Sequence, residues 1–149
     1  MNYEEAKRLM ETARDKDKGE PLDKANTRLY EVNDSTYIHP VYEIRLHGNT
    51  IIRLISINSV TLYELSSCGW RTVTTKERLN HYTPFHVYQK DRDWFVGIWG
   101  RGCGIDMSTD YGLRQYVYEF VDNMIVHQMT DGYYHVFVNG KRIGGTHND

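Results

Sequence analysis

The segment Gly69-Trp70-Arg71-Thr72-Val73-Thr74-Thr75-Lys76-Glu77-Arg78-Leu79-Asn80 gathers one large aromatic, three cations, three threonine hydroxyls and an amide within twelve residues. Such groups suit recognition. An indole stacks on flat partners, cations meet anions, and hydroxyls both donate and accept hydrogen bonds. The segment matches no reaction motif. Basic and aromatic residues continue beyond it, so that Trp70, Tyr82, Tyr88 and Trp94 interleave with Arg71, Lys76, Arg78, Lys90 and Arg92. Rings that stack on bases, beside cations that neutralise phosphates, are the parts of a nucleotide or nucleic-acid surface. A structural account competes with this one. Trp70 would then be core, Thr74 and Glu77 would close a capping box, and the cations would be solvated.

Other chemistry is weaker. His39, His47, His81, His86, His127, His135 and His147 are scattered over many elements, and none has metal-site spacing. His127 and His135 are placed to face each other across a hairpin, but two ligands do not make a site. His81-Tyr82-Thr83 has the His-x-Thr form of two-histidine phosphoesterases, which need a second copy to supply both base and acid. No second copy is present. Gly100-Arg101-Gly102-Cys103-Gly104 lacks the Gly-Lys-Ser/Thr ending of a phosphate loop, and a flexible connection accounts for it. Cys103 would need a neighbouring base to act as a nucleophile. No cofactor or metal is implied.

Composition bounds the rest. A chain of 149 residues fits one domain, and 40% hydrophobic with 26% charged residues is ordinary for a soluble globular protein. The formal charge of −2 creates no global field for nucleic acid. Its distribution is uneven. Residues 70–92 carry five cations against Glu77 and Asp91, a net +3, whereas residues 105–131 carry five acids against Arg114, a net −4. The acidic stretch, with Tyr111, Tyr116, Tyr118 and Glu119, offers a face that imitates nucleic acid toward a basic protein. Two cysteines, Cys68 and Cys103, form no disulfide framework and suit a reducing cytoplasm. Apolar runs are too short to span a membrane.

The elements that must position these groups are one helix and then mostly strands. Tyr3, Ala6, Leu9, Met10 and Ala13 make a helical stripe capped by Asn2, fading near Lys16–Gly19. The division is a helix over 1–18, a polar linker over 19–26 and a β-rich body over 27–149. Strands are expected at Thr27–Val32, Val41–His47, Thr50–Ile57 and Val60–Leu65, joined by turns at Gly48-Asn49 and Asn58-Ser59. Phe85–Lys90 and Trp94–Trp99 form a hairpin across Asp91-Arg92-Asp93. Leu113–Val121 fits either a helix or a strand; its alternating β-branched and aromatic residues favour the strand, with a hairpin turn at Asp122-Asn123. Met124–Met129 pairs with Val136–Asn139 across Thr130-Asp131-Gly132. Thr74-Thr75-Lys76-Glu77 reads as a capping box that opens a short helix near 75–82, stopped before Pro84. The fold class is α+β: an N-terminal helix on a mainly antiparallel, twisted sheet of meanders and hairpins.

Several segments carry a resemblance. These are Asn26-Thr27-Arg28-Leu29, Tyr42–His47 with Thr50-Ile51-Ile52, Gly69–Asn80, and Tyr88-Gln89-Lys90 with Trp94. Together, over about residues 19–96, they resemble a group of small bacteriophage-encoded proteins. That group shares an Asn-Thr-x-Leu strand, a Leu-His turn and a Gly-Trp-x-Thr-x-Thr-Thr-Lys-x-Arg-x-Asn segment. Here the turn Leu46-His47-Gly48-Asn49-Thr50 is one residue longer than the group's pattern. The resemblance implies a phage setting in the host cytoplasm and assigns no catalytic residue. It favours a non-enzymatic accessory protein that binds a host protein, to inhibit or redirect host machinery or defence. Its binding surface would comprise Trp70, Arg71, Lys76, Arg78, Tyr88, Lys90, Arg92 and Trp94. A nucleic-acid- or nucleotide-binding accessory protein using the same residues is the alternative, and a nucleotide or nucleic-acid hydrolase the third. Exposed sheet edges would suit a homodimer or a partner strand.

Overall fold

A computed structural model describes residues 1–101, 113–129 and 132–146. Helix α1 spans Tyr3–Glu11. The Asn2 side chain accepts a hydrogen bond from the Glu5 amide at 2.9 Å, which caps the first turn as expected. Tyr3, Ala6 and Met10 are buried against the sheet, while Leu9 of the same stripe is partly exposed. The helix stops earlier than Lys16. Past Met10 the apolar spacing offers only Ala13, and the Asp15 carboxylate accepts from the amides of Asp17 and Lys18 at 3.0 and 3.3 Å, turning the chain away.

Five strands follow: β1 Glu20–Pro21, β2 Thr27–Val32, β3 Val41–Leu46, β4 Asn49–Ile57 and β5 Val60–Leu65. Helix α2 spans Val73–Tyr82. Then come β6 His86–Lys90, β7 Asp93–Arg101, β8 Leu113–Glu119, β9 Met124–Gln128, β10 Tyr134–Val138 and β11 Lys141–Gly145. The described strands form two antiparallel sheets. One has eight strands in the order β1-β2-β3-β4-β5-β9-β10-β11, and the other has three in the order β6-β7-β8. The architecture is α+β and mostly sheet, and residues of both helices and both sheets join one hydrophobic cluster. From the larger sheet it takes Ile44, Ile52, Leu54, Leu65, Val126 and Val136, and from the smaller Val87, Trp94, Val96 and Ile98.

Turn chemistry corrects several boundaries. The β3–β4 loop is His47-Gly48, not Gly48-Asn49, because these two residues hold the positive φ values of 50° and 82° that a type I′ turn demands. Asn49 already pairs with Leu46. Asn58-Ser59 is a turn of the same kind, as is Asp91-Arg92, with Asp93 belonging to β7. Asn139-Gly140 makes a fourth and opens β11. In β4 the pairing jumps from Ile44–Ile52 to Arg45–Thr50, so Ile51 is a bulge residue, buried beside its neighbour.

Leu113–Glu119 is a strand, but Asp122-Asn123 is not a hairpin turn. β8 pairs with β7, and β9 pairs with β5 and β10, so this turn carries the chain from one sheet to the other. At α2 the expected capping box is displaced by two residues. Thr72 is the cap, accepting from the Thr75 amide at 3.1 Å, and Glu77 turns sideways to Lys24 and Arg78. Thr72→Ala is expected to cost about 1 kcal/mol in urea unfolding. Thr74→Ala, an exposed helical position, should stay within about 0.5 kcal/mol.

Candidate functional site

The segment from Gly69 to Asn80 forms one wall of a groove of about 420 Å³. The bulge at Ile51 and the end of β3 at Leu46 supply buried apolar surface. His47 and Asn49 come from the β3–β4 hairpin, and Thr72 and Thr75 come from the start of α2. Trp70 lies at the rim with 63% of its surface exposed, and Val73 follows at 78%. Trp70 is held outward by its backbone. Its amide donates to the Ser67 carbonyl at 2.9 Å, and its carbonyl accepts from Thr72 at 3.0 Å. Ser67 is itself fixed, because its amide and its hydroxyl both donate to the Asp122 carboxylate, at 2.7 and 2.8 Å.

The other residues singled out from the sequence do not share this groove. Trp94 is 1% exposed and points into the core, where it meets Phe120 edge to face at 5.5 Å. It is therefore no part of an exposed surface. The signal was present: Trp94, Val96 and Ile98 alternate with Phe95, Gly97 and Trp99, and the first set faces inward. The Arg71 guanidinium sits 5.5 Å from the Trp94 ring and 5.7 Å from Phe120, and donates to the Phe120 carbonyl at 3.1 Å. Lys76 lies 5.6 Å from the Trp94 ring on the same segment. These two cations cover a core indole. Arg78 donates to the Thr27 hydroxyl at 3.1 Å and the Ala25 carbonyl at 3.3 Å, and pairs with Glu77, fastening α2 to β2. Burial disfavours the charge on Glu77, but hydrogen bonds from Arg78 and Lys24 outweigh it and hold its carboxyl below the ordinary range.

Tyr88 stands on the outer face of the three-stranded sheet beside Phe95, ring centroids 5.8 Å apart. Lys90 is exposed at the end of β6, and Arg92 lies in the following turn. The sequence-predicted surface is thus divided into a groove-rim indole, two cations over a buried ring, a staple to β2, and a separate outer sheet face. Sequence reasoning missed Leu46 and Ile51, which only the bulge brings to the groove. It also missed Phe95 and Trp99, which strict alternation would have placed outside.

The remaining motifs have structural employment. Asp23 accepts from the Tyr82 hydroxyl at 2.6 Å and meets His81 Nε2 at 2.7 Å. Those bonds hold the Asp23 carboxyl below its usual range, Tyr82 first and His81 second. Thr83 donates to the Leu79 carbonyl, closing α2. Tyr118 shares a hydrogen bond with Tyr134 at 2.7 Å, and Tyr116 lies against the Tyr134 ring, so neither presents a free acidic-aromatic face. Tyr111, Cys103 and residues 102–104 of the glycine-rich run lie outside the described residues. Among the described residues, no three His, Cys, Asp or Glu side chains cluster as metal ligands, and no helix is long and apolar enough to cross a membrane.

His127 and His135 are cross-strand partners, rings 5.8 Å apart. His127 Nε2 is buried without a hydrogen-bond partner among the described residues, whereas His135 Nε2 meets the Thr146 carbonyl at 3.0 Å. Burial, and then the neighbouring His135, pull the His127 pKa below its ordinary 6.5. A lowered histidine pKa means the unfolded chain binds the proton first. Stability from this group is therefore complete above about pH 6.5 and is lost as pH falls toward the folded value. His127→Gln is expected to reduce the stability loss between about pH 7 and 5.5, read by urea midpoints across pH. In the same assay Trp94→Ala should cost about 3–5 kcal/mol and Trp70→Ala less than about 0.5.

A family model for the Kyanoviridae Gp96 protein matches residues 6–127. No curated protein and no solved structure matches the chain. The family match covers the groove, most of α1, all of α2 and the passage from β8 to β9, and the chain belongs to this bacteriophage family.

Proposed function

We propose that this phage protein is a non-enzymatic accessory factor that binds a host protein at the Trp70 groove and thereby inhibits or redirects it. One observation carries the reading. Trp70 and Val73 remain largely exposed beside a groove floored by the buried side chains of Leu46 and Ile51. An exposed tryptophan at the edge of an apolar depression is the arrangement of an interface anchor. The Ser67–Asp122 hydrogen bonds support it by holding the anchor in place, which lowers the ordering cost on binding. The exposed Thr74 hydroxyl at the rim adds a polar contact that does not require charge on the partner.

In this reading Arg71, Lys76 and Arg78 support the surface from behind. Inhibition would follow from occupying a partner's apolar site. The test is affinity capture from host lysate in about 0.5 M salt, a concentration that screens charge beyond a few ångströms, with nuclease added. One host protein is expected to be retained by the wild type and reduced about 30-fold or more in binding affinity by Trp70→Ala, with Val73→Asp weakening it similarly. Retention unaffected by either change, or released by nuclease, would remove the reading.

A further inference from the structure

The three-stranded sheet has a second face that the Trp70 groove does not use. Strand alternation sends Val87, Trp94, Val96 and Ile98 inward. It sends His86, Tyr88, Phe95, Trp99 and Val117 outward. Trp99 is 57% and Val117 47% exposed. The rings form a layer. His86 and Tyr88 lie 5.2 Å apart at 30°, and Tyr88 and Phe95 lie 5.8 Å apart at 31°. Gly97 sits between Phe95 and Trp99 and raises no side chain there. The Gln115 side chain crosses above it, its Nε2 2.4 Å from where a Cβ would stand. An amide with donors and an acceptor therefore lies amid the aromatic layer.

Size separates the occupants of such a face. From Phe95 to Trp99 it runs roughly 13 Å along β7, and about 10 Å across the three strands. With side-chain margins that is a few hundred Å², well below the ~800 Å² per partner of a stable protein interface. The same sheet area is what two or three stacked bases need. The polar groups agree with a flat ligand that has hydrogen-bonding edges: His86 and Gln115 border the rings. Lys90 and Arg92 lie at the β6–β7 end, within reach of a phosphate backbone, but Asp91, Asp93 and Glu119 share that end. Stacking, and not charge, must then supply most of the affinity.

We infer that the outer face of β6–β7–β8 is a stacking platform for two or three nucleotides of single-stranded nucleic acid, centred on Phe95 and Trp99. This site is separate from the Trp70 groove and does not depend on the reading given for it.

The test is fluorescence anisotropy with labelled twelve-nucleotide oligo(dT) and oligo(U), and with a duplex of equal length. Both single strands are expected to bind and the duplex not, and the ratio of the two affinities decides between DNA and RNA. The salt dependence should be shallow, a log–log slope of about −1.4, as for two cations. Trp99→Ala and Phe95→Ala should each weaken binding about tenfold, and Trp70→Ala should leave it unchanged. Val117→Glu keeps the rings and adds a repelling charge at an exposed strand position, so it should weaken binding while thermal unfolding stays as in the wild type. Three results would each overturn the inference. One is no anisotropy change at protein concentrations up to ~100 µM, the range of non-specific binding. Another is affinity insensitive to Trp99→Ala, Phe95→Ala and Val117→Glu alike. The last is a sedimentation shift from dimer to monomer on Trp99→Ala, which would assign the face to a second copy of the chain.

Discussion

The joining of the two sheets depends on the chain's return from the smaller to the larger, the passage from β8 to β9 at Phe120–Met124. Here the Phe120 amide donates to the Trp94 carbonyl at 2.9 Å, in the smaller sheet, and the Asn123 amide donates to the Leu65 carbonyl at 2.7 Å, in the larger. Asp122, between them, accepts both hydrogen bonds of Ser67. A carboxylate that accepts two short hydrogen bonds from a buried serine is a strong local constraint. Arg71 completes the junction by donating to the Phe120 carbonyl while it covers the Trp94 ring. The strand ends of both sheets, the 66–72 loop and the start of α2 therefore share one small set of bonds.

That arrangement explains why the same segment contains both a buried and an exposed indole contact. Arg71 reaches inward to Trp94, and Trp70, its neighbour, is directed outward by the tight turn at Ser67–Trp70. The left-handed conformations of Cys68 and Gly69, with φ of 53° and 79°, make that turn sharp. Exposure of Trp70 is thus a product of packing, since the cation beside it is committed to the core. Of the cations clustered in the sequence, Arg71, Lys76 and Arg78 are engaged in holding the fold, whereas Lys90 and Arg92 stay exposed.

Much of the fold was legible because its signals are local. Period-two alternation located β2 and β5 to the residue, and the Asn2 cap and the Tyr3–Met10 stripe located α1. What escaped depends on partners distant in sequence. Nothing local says that Asp122-Asn123 changes sheets, because a sheet switch and a hairpin use the same turn chemistry. The Ile51 bulge was equally hidden, since it reflects pairing with β3. Thr72 and Thr74 are both good caps, and the choice between them follows from where Arg71 anchors the chain. Asn139-Gly140 is a local hairpin signal, an Asn-Gly pair that opens β11. For the site, residue type singled out Trp70, which the fold leaves exposed at the groove rim. Residue type alone does not separate Trp94 from Phe95; that distinction lies in the alternation of Trp94, Val96 and Ile98 with Phe95, Gly97 and Trp99.

The central claim is that the Ser67–Asp122 junction ties the 66–72 loop to both sheets and so enforces the position of Trp70. Native-state hydrogen exchange tests it residue by residue. The amides of Ser67, Trp70, Phe120 and Asn123 are expected to exchange together, with the protection of the sheet cores, and Asp122→Ala should lower all four at once. Rapid exchange at Ser67 and Trp70 while Phe120 and Asn123 stay protected would contradict the claim, and would make the loop an independent, mobile connection.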